Sequence, residues 1–220
     1  MNIITIDFET YYSKEYSLSK LTTEEYVRNT QFEVIGVAVK VNDGETEWAS
    51  GTREQIKKFL EYYPWKDSMM VAHNCMFDGF ILTQRFGVHA KAYADTLSMA
   101  RALHGVEAGG SLAALAERYK LGVKGDEVIA AMGKRREDFD PEDLARYGDY
   151  CINDVELTYK LFNTMIGKGF PKTEMKLIDL TLRMFIEPKL DLDIPLLEQH
   201  LHDIQKRKEK LLLEAGVAKE

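Results

Sequence analysis

The opening run Asn2-Ile3-Ile4-Thr5-Ile6-Asp7 constrains the fold more than any other stretch of the chain. It is apolar and β-branched, and it reads as a buried strand. It ends on Asp7-Phe8-Glu9-Thr10, and strand residues two apart point to the same face. Asp7 and Glu9 are therefore expected to converge at the strand's C-terminal edge.

The stretches that follow alternate between strand and helix patterns. After a polar, tyrosine-rich excursion from Tyr11 to Thr30, Phe32 to Val41 and Glu45 to Ala49 predict a hairpin around Asn42-Asp43-Gly44. Thr52 to Tyr62 has helical periodicity, Met69 to Ala72 is a short strand, and Phe77 to Phe86 is a helix ending near Gly87. Asp95 and Ser111 each cap a helix, the first running to about Leu103 and the second from Leu112 to Tyr119. Asp140-Pro141-Glu142-Asp143 begins a helix of about 25 residues, with an N-cap, a first-turn proline and acids at the positive end of the dipole. The hairpin makes the leading strands antiparallel, so the fold class is α/β with a mixed sheet flanked by helices.

Two further motifs carry the chemistry of the first. Asn74-Cys75-Met76-Phe77-Asp78 opens one helix, and Tyr150-Cys151-Ile152-Asn153-Asp154 lies within the long one. Tyr150 and Asp154 are four residues apart, hence on one helix face and a turn apart. Alone, each motif has an ordinary reading: Asp7 as a turn residue, Asp78 as an ion-pair partner, Tyr150 as a core aromatic with a bonded hydroxyl. In this order, on a strand edge and two helices, they form an oxygen-rich set suited to hard Mg²⁺ or Mn²⁺ ions.

Composition narrows the partners. A chain of 220 residues with 45% hydrophobic and 30% charged residues is an ordinary soluble domain, and no apolar run is long enough to span a membrane. Two distant cysteines, Cys75 and Cys151, make neither a zinc motif nor a disulfide framework, which fits a reduced cytoplasm; small side chains packed under the site are expected. A net charge of −7 argues against gripping duplex DNA along its backbone, but not against a short site whose metals supply the positive charge.

On these motifs, the chain from Met1 to about Lys168 resembles the proofreading 3′→5′ exonuclease domain of family A DNA polymerases, the tyrosine (DEDDy) subgroup of the ribonuclease-H-like nucleases. Asn153-Asp154-Val155-Glu156-Leu157-Thr158 is similar to that family's third motif, and Leu21-Thr22-Thr23-Glu24-Glu25-Tyr26 with Phe32-Glu33-Val34-Ile35-Gly36 resembles bacteriophage versions. The histidine subgroup would place its base where this chain has Asp149.

The resemblance implies two Mg²⁺ or Mn²⁺ ions. Asp7 would bridge them, Glu9 and Asp154 complete the first, and Asp78 support the second. It further implies that Tyr150 orients the attacking water and that Asn74 lies near the terminal nucleotide, with Thr10 and Phe77 also expected beside the substrate. Tyr11, Phe77 and Tyr147 are candidates for stacking on bases. The implied substrate is a single-stranded or frayed 3′ end of DNA, cut to 5′-mononucleotides.

From residue 169 on, the pattern is helical and resembles the link to a polymerase domain. The chain is expected to be an N-terminal part of a larger enzyme, a monomer in the cytoplasm of a host cell. The rival readings are an RNA-trimming exonuclease of the same subgroup and a non-catalytic nuclease-like scaffold module.

Overall fold

The computed structural model describes residues 1–125 and 131–216. Five strands, β1 (Asn2–Thr10), β2 (Val34–Val41), β3 (Thr46–Ala49), β4 (Ser68–Ala72) and β5 (Ala92–Asp95), form one sheet in the order β3-β2-β1-β4-β5. The central strand β1 is antiparallel to β2, with Ile4 opposite Val41, and parallel to β4, with Asn2 opposite Ser68. Its ladder with β2 slips between Glu9 and Thr10. The expected hairpin is β2–β3, and Asn42 takes a left-handed conformation in its turn while its side chain accepts the Ile3 N–H at 2.9 Å.

Eight helices are described: α1 (Thr23–Arg28), α2 (Arg53–Glu61), α3 (Cys75–Phe86), α4 (Thr96–His104), α5 (Leu112–Tyr119), α6 (Pro141–Gly167), α7 (Lys172–Ile186) and α8 (Ile194–Glu214). One sheet face packs Ile4, Ile6 and Phe8 of β1 with Ile56 and Leu60 of α2 and Phe80 and Ile81 of α3. The other packs Val71 and Ala94 with Met99 of α4, Leu115 of α5, and Leu157, Leu161 and Phe162 of α6. Covering both faces explains why Ile3 and Ile4, adjacent on β1 and so on opposite faces, are both apolar, as in strands buried on two sides.

The long helix α6 starts where its sequence says, with the Asp140 carboxylate accepting the Asp143 N–H at 2.8 Å. It lies close over the sheet beside β3: a Cβ at Gly148 would stand 2.7 Å from Trp48 Nε1, so a larger residue there would push α6 away.

Two elements depart from expectation. The tyrosine-rich excursion contains α1, closed by a capping box in which the Glu25 N–H donates to the Thr22 hydroxyl and the Thr22 N–H donates to the Glu25 carboxylate. The segment before Asp95 is an edge strand, β5, too short to show a period.

The helical stretch from residue 169 divides. Helix α7 is part of a compact unit spanning Met1–Glu187. In it the Thr83 hydroxyl donates to the Ile186 carbonyl at 2.8 Å, the Tyr93 N–H to Asp179 at 2.8 Å, and Phe80 and Phe185 pack 4.8 Å apart. Gly79 lies so close to the Ile186 side chain that a Cβ there would collide with it. The second unit begins at Pro188 and contains α8, capped by Asp193 on the Leu196 N–H at 3.1 Å, with no residue of the helix buried.

Candidate active site

Alternation along β1 puts Asp7 and Glu9 on the face toward α6, while Phe8 points the other way and stacks on Phe86 at 5.9 Å. Helix α3 follows β4 after a sharp turn at Asn74, whose φ of 69° is left-handed. The N–H groups of Asn74 and Cys75 donate to the Asp95 carboxylate at 2.8 and 3.2 Å, which fixes where the helix begins. One turn on, Asp78 accepts the backbone N–H of Phe8 at 3.0 Å, so it is locked to the strand between Asp7 and Glu9.

The third contribution is a stripe on α6. The Tyr147 hydroxyl donates to Glu9 at 2.5 Å, the Cys151 thiol to Asp7 at 3.6 Å, and Asp154 pairs with the Lys124 ammonium. One oxygen each of Asp7 and Glu9 and the Cys151 sulfur lie within 4.8 Å of one another. All four expected carboxylates and Tyr150 thus come together from β1, α3 and α6.

Residues 3–168 match the sequence profile of a family described as 3′–5′ exonuclease. The chain belongs to this exonuclease family. The match runs from β1 through α6 and takes in every site residue named above. No curated protein matches the sequence. Among solved structures, Trypanosoma brucei RNase D in complex with RNA U12 is 15% identical, with a TM-score of 0.63 over 84% of this chain and 62% of that one. Brucella melitensis NrnC with bound Mg²⁺ is 13% identical, with a TM-score of 0.59 over 84% and 81%. The family B DNA polymerase of Pyrobaculum calidifontis is 17% identical, with a TM-score of 0.58 over 84% of this chain and 27% of that one. At such identities the likeness is one of fold.

Within this exonuclease fold the acids strain against one another. Burial first, and Asp154 second, push the Asp7 carboxyl up to about 7. Glu9 and Asp78 are held well above the usual carboxylate range, again by burial first and then by Asp7. Burial, then Asp154, raise the Tyr150 phenol above its usual value, so it keeps its proton at neutral pH. The Cys151 thiol is likewise pushed up by burial and Asp7, and the residue packs as a small buried group, as expected.

The residues expected beside the substrate are less uniform. Asn74 is exposed at the head of α3. Thr10 is buried, its hydroxyl 2.9 Å from that of Tyr26, and Phe77 is half-buried with its ring 5.9 Å from the Tyr26 ring. Tyr11 stacks on Tyr16 and carries the Arg135 guanidinium 4.1 Å over its ring. Tyr147 is not an open stacking surface: it is 2% exposed, sandwiched between Phe139 and Tyr150, and its hydroxyl is spent on Glu9.

Sequence reasoning gave Tyr147 a stacking role instead of its bond to Glu9, and missed Lys124 altogether. The place of Tyr147 could have been found, because with Tyr150 and Asp154 it completes an i, i+3, i+7 stripe. Lys124 could not, because it reaches Asp154 from a loop thirty positions earlier and no local period marks it. Its ammonium also lies 5.0 Å over the Tyr150 ring, in a cleft of about 310 Å³ that Arg146, Asp149 and Asn153 help to line.

Proposed function

We propose that the chain removes nucleotides from the 3′ end of DNA as 5′-mononucleotides, using two divalent ions, and that it is the proofreading part of a bacteriophage-type family A DNA polymerase. The observation that carries the reading is the convergence of Asp7, Glu9, Asp78 and Asp154 from three elements, with three of the four carboxyls held above their ordinary range. An all-oxygen set of mutually repelling acids fits hard Mg²⁺ or Mn²⁺. When bound, such ions supply an activated water and neutralise charge developing on the phosphate and the leaving 3′-oxygen.

The protein's own groups position the rest. Tyr150, protonated and beside Asp154, orients a water by hydrogen bond and does not act as a base. Tyr147 fixes the Glu9 carboxylate, and the Phe8 N–H fixes Asp78. Asn74, exposed at the start of α3, faces the terminal nucleotide, and Thr10 serves through its bond to Tyr26.

RNA is the second reading, favoured by the fold likeness to an RNase D solved with RNA U12. A scaffold role is disfavoured because no carboxylate of the set has been lost. The test is hydrolysis of matched DNA and RNA oligonucleotides, single-stranded or with a paired 3′ end, in Mg²⁺, Mn²⁺ or excess chelator. Faster cutting of single-stranded or mismatched DNA that stops in chelator is expected. Full activity in chelator would sink the metal assignment, and preference for RNA would move the chain to the second reading.

A further inference from the structure

Behind the carboxylates a cavity of about 230 Å³ is lined by Arg53, Arg85 and Arg136 together with Phe32 and Phe86. Phe86 is the ring that stacks on Phe8, so the cavity belongs to the sheet face opposite Asp7 and Glu9. Arg53 opens α2, Arg85 is in the last turn of α3, and Arg136 precedes α6. Their convergence runs against a net charge of −7.

None of the three is ion-paired among the described residues, and the one carboxylate in the lining is already engaged. Glu33 accepts the Arg135 guanidinium at 2.6 Å and the backbone N–H of Arg136 at 3.0 Å. Arg53 donates to the Arg85 backbone carbonyl at 2.7 Å, and the Arg85 guanidinium lies 4.8 Å over the Phe32 ring. Burial and the nearby Arg53 both hold Arg85 below its ordinary range, as expected where cations crowd without a counter-ion. Planar guanidinium forks pre-set by stacking and by a backbone bond suit the oxygens of a phosphate, which they bind in pairs.

We propose that this cavity is a second, accessory anion site that takes a phosphate group. The phosphate has two possible sources, a nucleic-acid strand whose 3′ end lies at the carboxylates or a free phosphate such as inorganic phosphate or a mononucleotide from solution. Glu33 connects the cavity to the strand end, because its carbonyl accepts the Tyr11 N–H at 2.9 Å, two residues past Glu9. Only the strand version rests on the exonuclease reading.

Excess chelator separates the two sites, since un-neutralised carboxylates repel anions and leave the arginines as the phosphate binders. Under that condition inorganic phosphate, a 5′-mononucleotide and a labelled single-stranded oligonucleotide are titrated against the wild type, R53Q, R85Q, R136Q and the charge-retaining R85K. Inorganic phosphate should raise the wild-type Tm saturably. The response should weaken about tenfold or more in R85Q and R136Q and return in part in R85K. R53Q, at an exposed position, serves where a core-facing variant fails to fold.

If the source is a strand, each arginine removed should lower the salt slope of oligonucleotide binding by about one. If it is free phosphate, oligonucleotide affinity stays level while phosphate affinity falls. No saturable phosphate response in the wild type, together with unchanged oligonucleotide affinity in every folded variant, would overturn the site. A wild type that keeps the phosphate response but cuts no nucleic acid would instead sink the exonuclease reading alone.

Discussion

Asp95 closes strand β5 and Asp7 lies near the end of β1, and both carboxylates sit where the sheet meets its helices. Asp95 is 4% exposed and fully served: it accepts the N–H groups of Asn74, Cys75 and Leu97 at 2.8, 3.2 and 3.1 Å. The N–H and hydroxyl of Ser98 add two more bonds at 3.2 and 2.6 Å. Asp7 instead faces Glu9, Asp78 and Asp154, with a thiol at 3.6 Å. A buried negative charge with a full shell of donors is a structural pin, whereas one ringed by its own kind is stable only when cations arrive. Asp7 is half-buried where Asp95 is fully buried, and donor supply separates the aspartate that holds the fold from the one proposed to do chemistry.

The largest effect expected from that contrast is a crossing of stability and activity. Asp7→Asn should cut hydrolysis by orders of magnitude while raising the Tm of the protein in chelator, because a repelling charge is gone. Asp95→Ala should cost about 3 kcal/mol by stranding the Asn74 and Cys75 N–H groups, and should lower activity only as far as Asp78 shifts with α3. Denaturation in chelator beside a nuclease assay measures both. Equal destabilisation by the two variants would end the distinction.

pH should sharpen it. The Asp7 carboxyl is raised in the folded state to about 7 from an ordinary 3.8, so its protonated form favours folding. That contribution is complete below about pH 4 and drains away as pH climbs toward 7. Stability in chelator should therefore fall across this window. Saturating Mn²⁺ should flatten the fall, and Asp7→Asn should reduce it. A slope unaffected by both would place the titrating groups elsewhere.

The same contrast explains what could be read from the sequence. Asp95, Ser111 and Asp140 were legible as caps because capping is local, set by a polar side chain immediately before a helical run that accepts the N–H two or three residues on. The Asp7 and Glu9 pair was legible because strand period fixes it, and Tyr150 with Asp154 because helix period does. That these acids meet Asp78 is a tertiary fact, reachable only through the order of the motifs. Helix α1 carried its signal in Thr22 and Glu25, masked by the surrounding polar and aromatic residues. The packing of α7 on Gly79 and the reach of Lys124 to Asp154 left no local trace, because both depend on distant segments meeting.

Smaller in scale is the division between Tyr147 and Tyr150 of α6. Tyr150→Phe should lose about 10²–10³ in rate with metal affinity nearly unchanged, the expected result for a misplaced water. Tyr147→Phe removes the donor that holds Glu9, so its loss should be nearer tenfold and should come with weaker Mn²⁺ binding. Calorimetry showing the reverse assignment, with Tyr150→Phe the variant that loses the metal, would exchange their roles.

The smallest effect falls on Lys124, the nearest thing the acidic site has to the donors around Asp95. Its ammonium pairs with Asp154 and lies over Tyr150, at 27% exposure of its own side chain, so solvent screens the pair and its worth is about 0.5–1 kcal/mol. Lys124→Met should lower the Tm in chelator by a corresponding degree or so. If the ammonium stands where a cation would otherwise sit, the variant should also bind Mn²⁺ a few times more tightly, since nothing must leave first. If the ammonium moves onto the substrate phosphate once metal is bound, Mn²⁺ affinity measured without DNA still tightens, but turnover falls. Weaker Mn²⁺ binding in the variant would contradict both accounts and would make Lys124 an organiser of Asp154, in the way that Asn74 and Cys75 organise Asp95.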